Sequence, residues 1–299
     1  MIKMAISLKK ASSEQDFLDV LDIESRICAS SKLNNAPYHI GGLIFDRFLF
    51  KGGAPDYFDY GQLVFLDDTL IGYAMCFLDE DENEYYFGLL PEYSSYYSEV
   101  IKLIDDLFKC TGYTTVANTN DAELTKALSH YSCSGEERYQ AGIDLKKYNT
   151  QEVLWQNETI RFLKAEDIEN RAEYGYIPTG EDLTTELYRS LMDSPYYSKA
   201  MDYVIFDNKS GQFAGFVSWW LDEKSNTALL EPVACLPDFR RRGIMKRALL
   251  YGLNELKKEG FSYAYVSTSL NNDEAISLYK CVGFEKIGTA NEYIRQELN

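Results

Sequence analysis

The chain has 299 residues, 45% hydrophobic and 26% charged, with a net charge of −17. That composition belongs to a folded chain of one large or two ordinary domains and excludes wholesale disorder. A surplus of acid argues against a nucleic-acid partner, because a polyanion needs a positive face. No apolar run approaches the roughly 20 residues that cross a bilayer, so no membrane partner is expected. Met1 to Ala5 lacks the apolar core of a secretory signal, so a cytoplasmic location is expected.

The chain reads as two halves of similar plan. In the first, Phe17, Val20, Leu21 and Ile27 mark an early helix. Leu63 to Phe65 and Ile71 to Phe77 form a hairpin around Asp67-Asp68, and Tyr85 to Leu90 is a strand. Val100, Ile101, Ile104 and Leu107 then share one helical face. The acidic run 79–82 reads as a solvated loop. Residues 149–158 are polar and irregular and form the expected linker, which divides the chain into 1–150 and 156–299.

The second half opens with an alternating strand over 159–163, followed by a helical face of Leu183, Leu187 and Leu191. Strands are expected over 203–206, 213–220 and 228–236. A helix from about Gly243 to Lys258 stops at Gly260. A strand over 263–267 and a short helix over 273–281, closed by Gly283, complete the half. Leu90-Pro91-Glu92-Tyr93 parallels Leu236-Pro237-Asp238-Phe239, each between a strand and a helix, and suggests an internal duplication.

Only two histidines, His39 and His130, are present, and the six cysteines form no C-x-x-C pair. No metal site and no disulfide framework are therefore expected. No G-x-S-x-G elbow accompanies the histidines.

The chemistry concentrates at Glu231 to Met245. A strand ends, a turn follows and a helix begins at Gly243. Free N–H groups at a helix N-terminus, reinforced by the dipole, make a cradle for phosphate. Arg240, Arg241 and Arg242 add charge beside it, and Gly243 allows close approach to the backbone. The competing readings are an exposed basic turn and a nucleic-acid patch; a Walker loop and a three-glycine Rossmann fingerprint are absent. A second constellation follows at Asn272 to Phe284, with Asn272 as helix cap.

Together these two segments resemble the GCN5-related N-acetyltransferases. Arg240-Arg241-Arg242-Gly243-Ile244-Met245 fits the family's Arg/Gln-x-x-Gly-x-Gly/Ala motif except at Met245. Asn272, Ala275, Tyr279, Gly283 and Phe284 fit the second motif. The resemblance covers about residues 158–299 and implies an α+β fold. That fold would be two tandem domains, each a mixed, mostly antiparallel sheet flanked by helices, with a splayed central strand. Pro232 suits such a strand, since proline sits at edges or bulges.

The resemblance further implies acetyl-CoA as cosubstrate and direct transfer of acetyl to a primary amine in a ternary complex. Val233, Ala234 and Cys235 would pair with the pantetheine arm. Arg240, Arg241, Arg242, Gly243, Ile244, Met245 and Lys246, with Asn272, complete the cofactor set. Tyr279 would be the acid that protonates the thiolate and Glu231 the base. Glu231 lies two residues before Val233 and is expected on the same strand face. The acceptor would be a small-molecule or peptide amine, and the acidic composition favours a cationic one. Trp219, Trp220, Tyr174, Tyr176, Tyr196 and Tyr197 are candidates to line its pocket.

The first half resembles a degenerate copy. Ser94-Ser95-Tyr96-Tyr97 stands where Arg240 to Gly243 stand in the second half, with Tyr97 blocking phosphate and Ala127 nearest to Tyr279. The alternative is a non-catalytic acyl-CoA sensor or scaffold, and longer acyl groups remain open. A monomer or homodimer is expected.

Overall fold

The computed structural model describes residues 5–31, 38–49, 61–78, 83–107, 112–179 and 184–295. The acidic run 79–82 lies outside them. The first half runs β1 (Ile6–Lys10), α1 (Glu14–Ser31), α2 (His39–Leu49), β2 (Gln62–Leu66), β3 (Thr69–Leu78), β4 (Asn83–Leu89), α3 (Tyr97–Leu107), β5 (Tyr113–Asn118), α4 (Ala122–Ala127) and β6 (Ser132–Asp144). The second repeats that order: β7 (Glu158–Phe162), α5 (Ile168–Thr179), α6 (Thr185–Asp193), β8 (Ala200–Asp207), β9 (Phe213–Asp222), β10 (Thr227–Cys235), α7 (Ile244–Lys258), β11 (Tyr263–Ser269), α8 (Asp273–Cys281) and β12 (Glu285–Arg295). The duplication hinted at by two short matches thus extends, element for element, through both halves.

All twelve strands join one sheet, in the order β1-β2-β3-β4-β5-β12-β6-β11-β10-β9-β8-β7. The last strand of each half sits in the other half's sheet. β12 lies antiparallel between β5 and β6, with Tyr293 opposite Thr115 on one side and Cys133 on the other. β6 in turn covers β11, with Tyr265 opposite Gly142. Arg295 fastens the end of β12 by an ion pair to Asp105 at 2.7 Å.

The packing follows this crossover. On one face, α1, α2 and α6 share a single core that draws Phe17, Leu43 and Tyr73 from the first half and Leu191, Trp220 and Tyr265 from the second. On the other, α7 and α8 bury Leu249, Leu253 and Tyr279 against β8 to β11, with Tyr139 and Ala141 supplied by β6. Beside them α3 and α4 cover the first half with Val100, Ile101 and Leu128, with Tyr293 supplied by β12. Burying large aliphatic and aromatic side chains at roughly 1.5–3 kcal/mol each drives this arrangement. It holds the two halves as one body. No helix among the described residues is long and apolar enough to cross a membrane.

Candidate active site

The site begins where two parallel strands separate. β10 pairs with β11 only from Thr227 to Leu229. A bulge then falls between Leu230 and Val233, around a cis Glu231–Pro232 bond, and Val233 to Cys235 pair with β9 alone. Beyond Leu229 the backbone of β10 therefore faces a gap on its β11 side. The bulge also breaks strand alternation, so the parity argument placing Glu231 on the face of Val233 does not hold across it. The bulged carbonyl of Glu231 is held by the Trp220 indole N–H at 2.9 Å.

At the mouth of the gap the chain turns through Pro237–Phe239 and enters α7. Arg241 and Gly243 both take left-handed backbone conformations, with φ of 63° and 72°. Glycine bears this at no steric cost, whereas arginine does not. Gly243 is the N-cap, and no side chain caps the helix there. The first N–H groups of α7 have no intrahelical partner and point outward. Arg240 and Arg242 brace the turn, donating to the carbonyls of Cys235 at 3.1 Å and Asp238 at 2.6 Å. Arg241 and Lys246 make no such bond among the described residues and are both exposed, so their charge is free for an anion.

Met245, the one departure from the motif, is buried in the core of the α7 face. Its Cε lies 3.0 Å from where a Cβ on Gly215 would stand. The missing side chain at Gly215 thus accommodates the larger residue at 245. Asn272 caps α8 as expected, accepting from the Ala275 N–H at 3.1 Å. Its amide donates to Thr268, so its side chain is committed to the helix.

Tyr279 is buried on α8 near Glu231. Burial pushes its phenol above the ordinary tyrosine value, and the Glu231 charge pushes it further. Solvent reaches Glu231, yet protein surrounds the carboxyl closely: burial raises its pKa, and the Arg138 charge opposes that shift. Burial likewise raises the Cys235 thiol to about 11, against the pull of Arg240 and Arg242, which leaves it protonated at neutral pH. That is unlike a nucleophilic cysteine.

The first half keeps the parted strands and the helix cap but differs at the turn and at the position of Tyr279. β4 and β5 also part, pairing only at Glu84 and Tyr85. No left-handed residue follows: Tyr97 starts α3 in right-handed helical geometry. Its hydroxyl accepts the Leu89 N–H at 3.2 Å, inside the fork. Asp121 caps α4 as Asn272 caps α8, which makes buried Leu128, one residue beyond the expected Ala127, the counterpart of Tyr279.

The aromatic candidates scatter. Trp220 faces the shared core beside α2, and Trp219 is buried on the opposite face against α7. Tyr196 bonds Glu14, and Tyr197 donates to Asp202 at 3.1 Å. The side chains of Tyr174 and Tyr176 lie outside the described residues. Sequence reading missed a polar core cluster in which Cys28, His39 and Asp222 bring ligand-type atoms within 4.8 Å. His39 Nδ1 accepts the Gly41 N–H at 3.0 Å, and burial lowers the ring's pKa to about 4. The neutral ring therefore carries its proton on Nε2 and offers no lone pair there.

Residues 164–284 match the model of the acetyltransferase (GNAT) family. Among solved structures, a tandem GNAT protein from the clavulanic acid biosynthesis pathway is 13% identical, with 99% of each chain covered and a TM-score of 0.68. A GCN5-related N-acetyltransferase from Sphaerobacter thermophilus is 14% identical over 98% of this chain and 96% of its own, at 0.63. Saccharomyces cerevisiae N-myristoyltransferase with bound myristoyl-CoA and inhibitors is 13% identical over 97% and 79%, at 0.61. Residues 164–284 are therefore a match to the acetyltransferase (GNAT) family, within a chain that shares the fold of a tandem GNAT protein from end to end.

Proposed function

We propose that the protein transfers acetyl from acetyl-CoA to a primary amine by direct attack in a ternary complex in the second half. The observation that carries this is the fork beyond Leu229, open between β10 and β11 and flanked by the uncapped N-terminus of α7. Val233, Ala234 and Cys235 would pair with the pantetheine arm. The N–H groups from Gly243 to Lys246, with Arg241, would hold the pyrophosphate, while Arg240 and Arg242 keep the turn in shape. Acetyl-CoA supplies the thioester whose C–S bond breaks as the N–C bond forms.

Glu231 takes the proton of the acceptor ammonium, and its raised pKa suits a base at neutral pH. Once protonated, it no longer raises the Tyr279 pKa by charge. Tyr279 is then a better donor to the departing sulfur at the moment the proton is needed. The same dry surroundings raise the proton affinity of the thiolate.

The units are residues 1–150 and 156–299, and the first binds no CoA because Tyr97 fills its fork. Instead its α2 walls the acceptor side, packing on β9 and β10. Calorimetric titration of acetyl-CoA tests the assignment against an Arg241→Glu, Gly243→Glu double variant. One site per chain, lost in the variant, is the expected result. Two sites would overturn the reading of the first half, and no site would overturn the whole.

A further inference from the structure

A residue of the first half that the family motifs do not contain acts on Glu231. Arg138 lies on β6, opposite Ser269 of β11. In that register Gly142 pairs with Tyr265, whose side chain belongs to the core shared by both halves. Residues at even spacing share a face, so Arg138 projects to the side where α1 and α2 lie. Ser269 lies on the stretch of β11 beyond Tyr265, where β10 has already parted from it, so Arg138 stands at the same end of the sheet as Glu231. Its charge opposes the rise in the Glu231 pKa and acts on Tyr86 as well.

Tyr86 on β4 pairs with Met75, another member of the shared core, and its ring centre lies 4.0 Å from that of Tyr38, the planes tilted by 36°. Tyr38 donates to Asp46 of α2, and Tyr86 donates to Glu84. These two carboxylates are therefore already engaged by phenols. Arg138 is exposed and makes no hydrogen bond or ion pair among the described residues, in a chain with 47 acidic residues. An arginine with no hydrogen-bond or ion-pair partner among the described residues, acting on a candidate base in so acidic a protein, is placed for an anion from outside. A guanidinium fork suits a carboxylate, which it can bind through two parallel hydrogen bonds.

We propose that Arg138 binds a carboxylate on the acceptor, so that the amine delivered to Glu231 belongs to an amino acid or a similar zwitterion. This rests on the acetyltransferase reading. It replaces the purely cationic acceptor that composition favours, because the acceptor's acid group would meet a local positive charge within a negative field. The first half then contributes specificity to a reaction carried by the second.

The test uses the full chain, acetyl-CoA at saturation and a panel of amino acids, each paired with its carboxamide, with thiol release as readout. The expected result is faster turnover of the free acids. Arg138→Gln should lower the acid-to-amide ratio of kcat/KM by about tenfold or more, with partial rescue by Arg138→Lys. Equal or better turnover of the amides in the parent overturns the proposal. So does an Arg138→Gln effect that is equal for acid and amide and moves only the acid limb of the pH profile, since Arg138 would then be a positioning residue for Glu231. A second measurement needs no turnover: the corresponding N-acetyl amino acids and their amides are titrated onto the protein–CoA complex. Selective binding of the acids supports the proposal, and its absence overturns it. Failure of the acetyltransferase reading would show separately, as absence of CoA binding.

Discussion

Gly41 of α2 lies directly against Trp220 of β9, and Gly41→Ala tests whether α2 of the first half is a wall of the second half's site. A Cβ at Gly41 would stand 2.5 Å from Cγ of Trp220 and 3.0 Å from its Cδ1. Carbon atoms rest at about 3.5–4.0 Å, so α2 or the indole must move by roughly 1 Å. Trp220 is 2% exposed and its N–H holds the Glu231 carbonyl, so it has little freedom to yield. Overpacking of this kind costs about 1–3 kcal/mol. Alanine recovers at most ~1 kcal/mol of helix propensity, and less so near a helix start. The overlap is severe enough to take the upper part of the range, leaving a net loss of about 1–2 kcal/mol. For 299 residues, at about 2.1 cal/mol/K each, that lowers Tm by roughly 2–3 °C. Scanning calorimetry reads the stability, and turnover with saturating acetyl-CoA reads the site. Gly42→Ala, whose Cβ would meet only the Tyr38 ring at 3.2 Å, should cost less. A Gly41→Ala protein as stable as the parent, with unchanged kcat/KM, would refute the wall.

Tyr279→Phe should lower kcat about 100-fold or more while acetyl-CoA affinity stays within a fewfold, and stopped-flow turnover beside calorimetry separates the two. If Glu231 is the base, kcat/KM should fall as acid protonates it, with an apparent pKa above the usual 4.5 because burial raises it. In Glu231→Gln that acid limb should disappear; its persistence would assign the limb to another group. At Asp16, burial would raise the pKa, but the Ser12 N–H, Lys9 and Ser13 outweigh it and hold the carboxyl at about 2. The folded value lies below the ordinary 3.8, so this stabilisation is present above pH 3.8 and is lost as pH falls toward 2. Acid titration of the unfolding midpoint should therefore be shallower in Asp16→Asn than in the parent, and identical slopes would exclude the contribution.

The second half was legible because its signals are local. Gly243 marks a left-handed turn, Asn272 a helix cap and Pro232 a bulge, and each is set by residues a few positions apart. Helix α8 runs over the expected Asp273–Cys281, and α7 starts one residue inside the expected span. The misses are long-range. Residues 39–49 are apolar nearly all round, Gly-Gly included, and give no helical stripe; α2 is buried between the halves instead. Nothing near Arg171 in sequence shows that its guanidinium will be fully buried, 3.9 Å from Asp202 and over the Phe216 ring at 3.6 Å. Arg138 carries no motif, and the pairing of β6 with β11 and β12 brings it to the other half. That pairing cannot be read from hydrophobic alternation, which fixes a strand's faces but not its neighbours.

The interleaving of β6 and β12 also bears on how the chain is made. As the protein leaves the ribosome, the first half emerges with β5 exposed along one edge, and the strand that covers it is still about 140 residues away. At ordinary elongation rates the wait is roughly 7–30 s, during which an open edge invites pairing with a neighbouring nascent chain. The two halves therefore reach the native state together, and β12 is the closing step for both. Cutting the chain in the linker would leave each fragment short of a strand held by the other. Fragments produced together have complementary edges and should reassemble, whereas either one alone would be left to swap with its own copies.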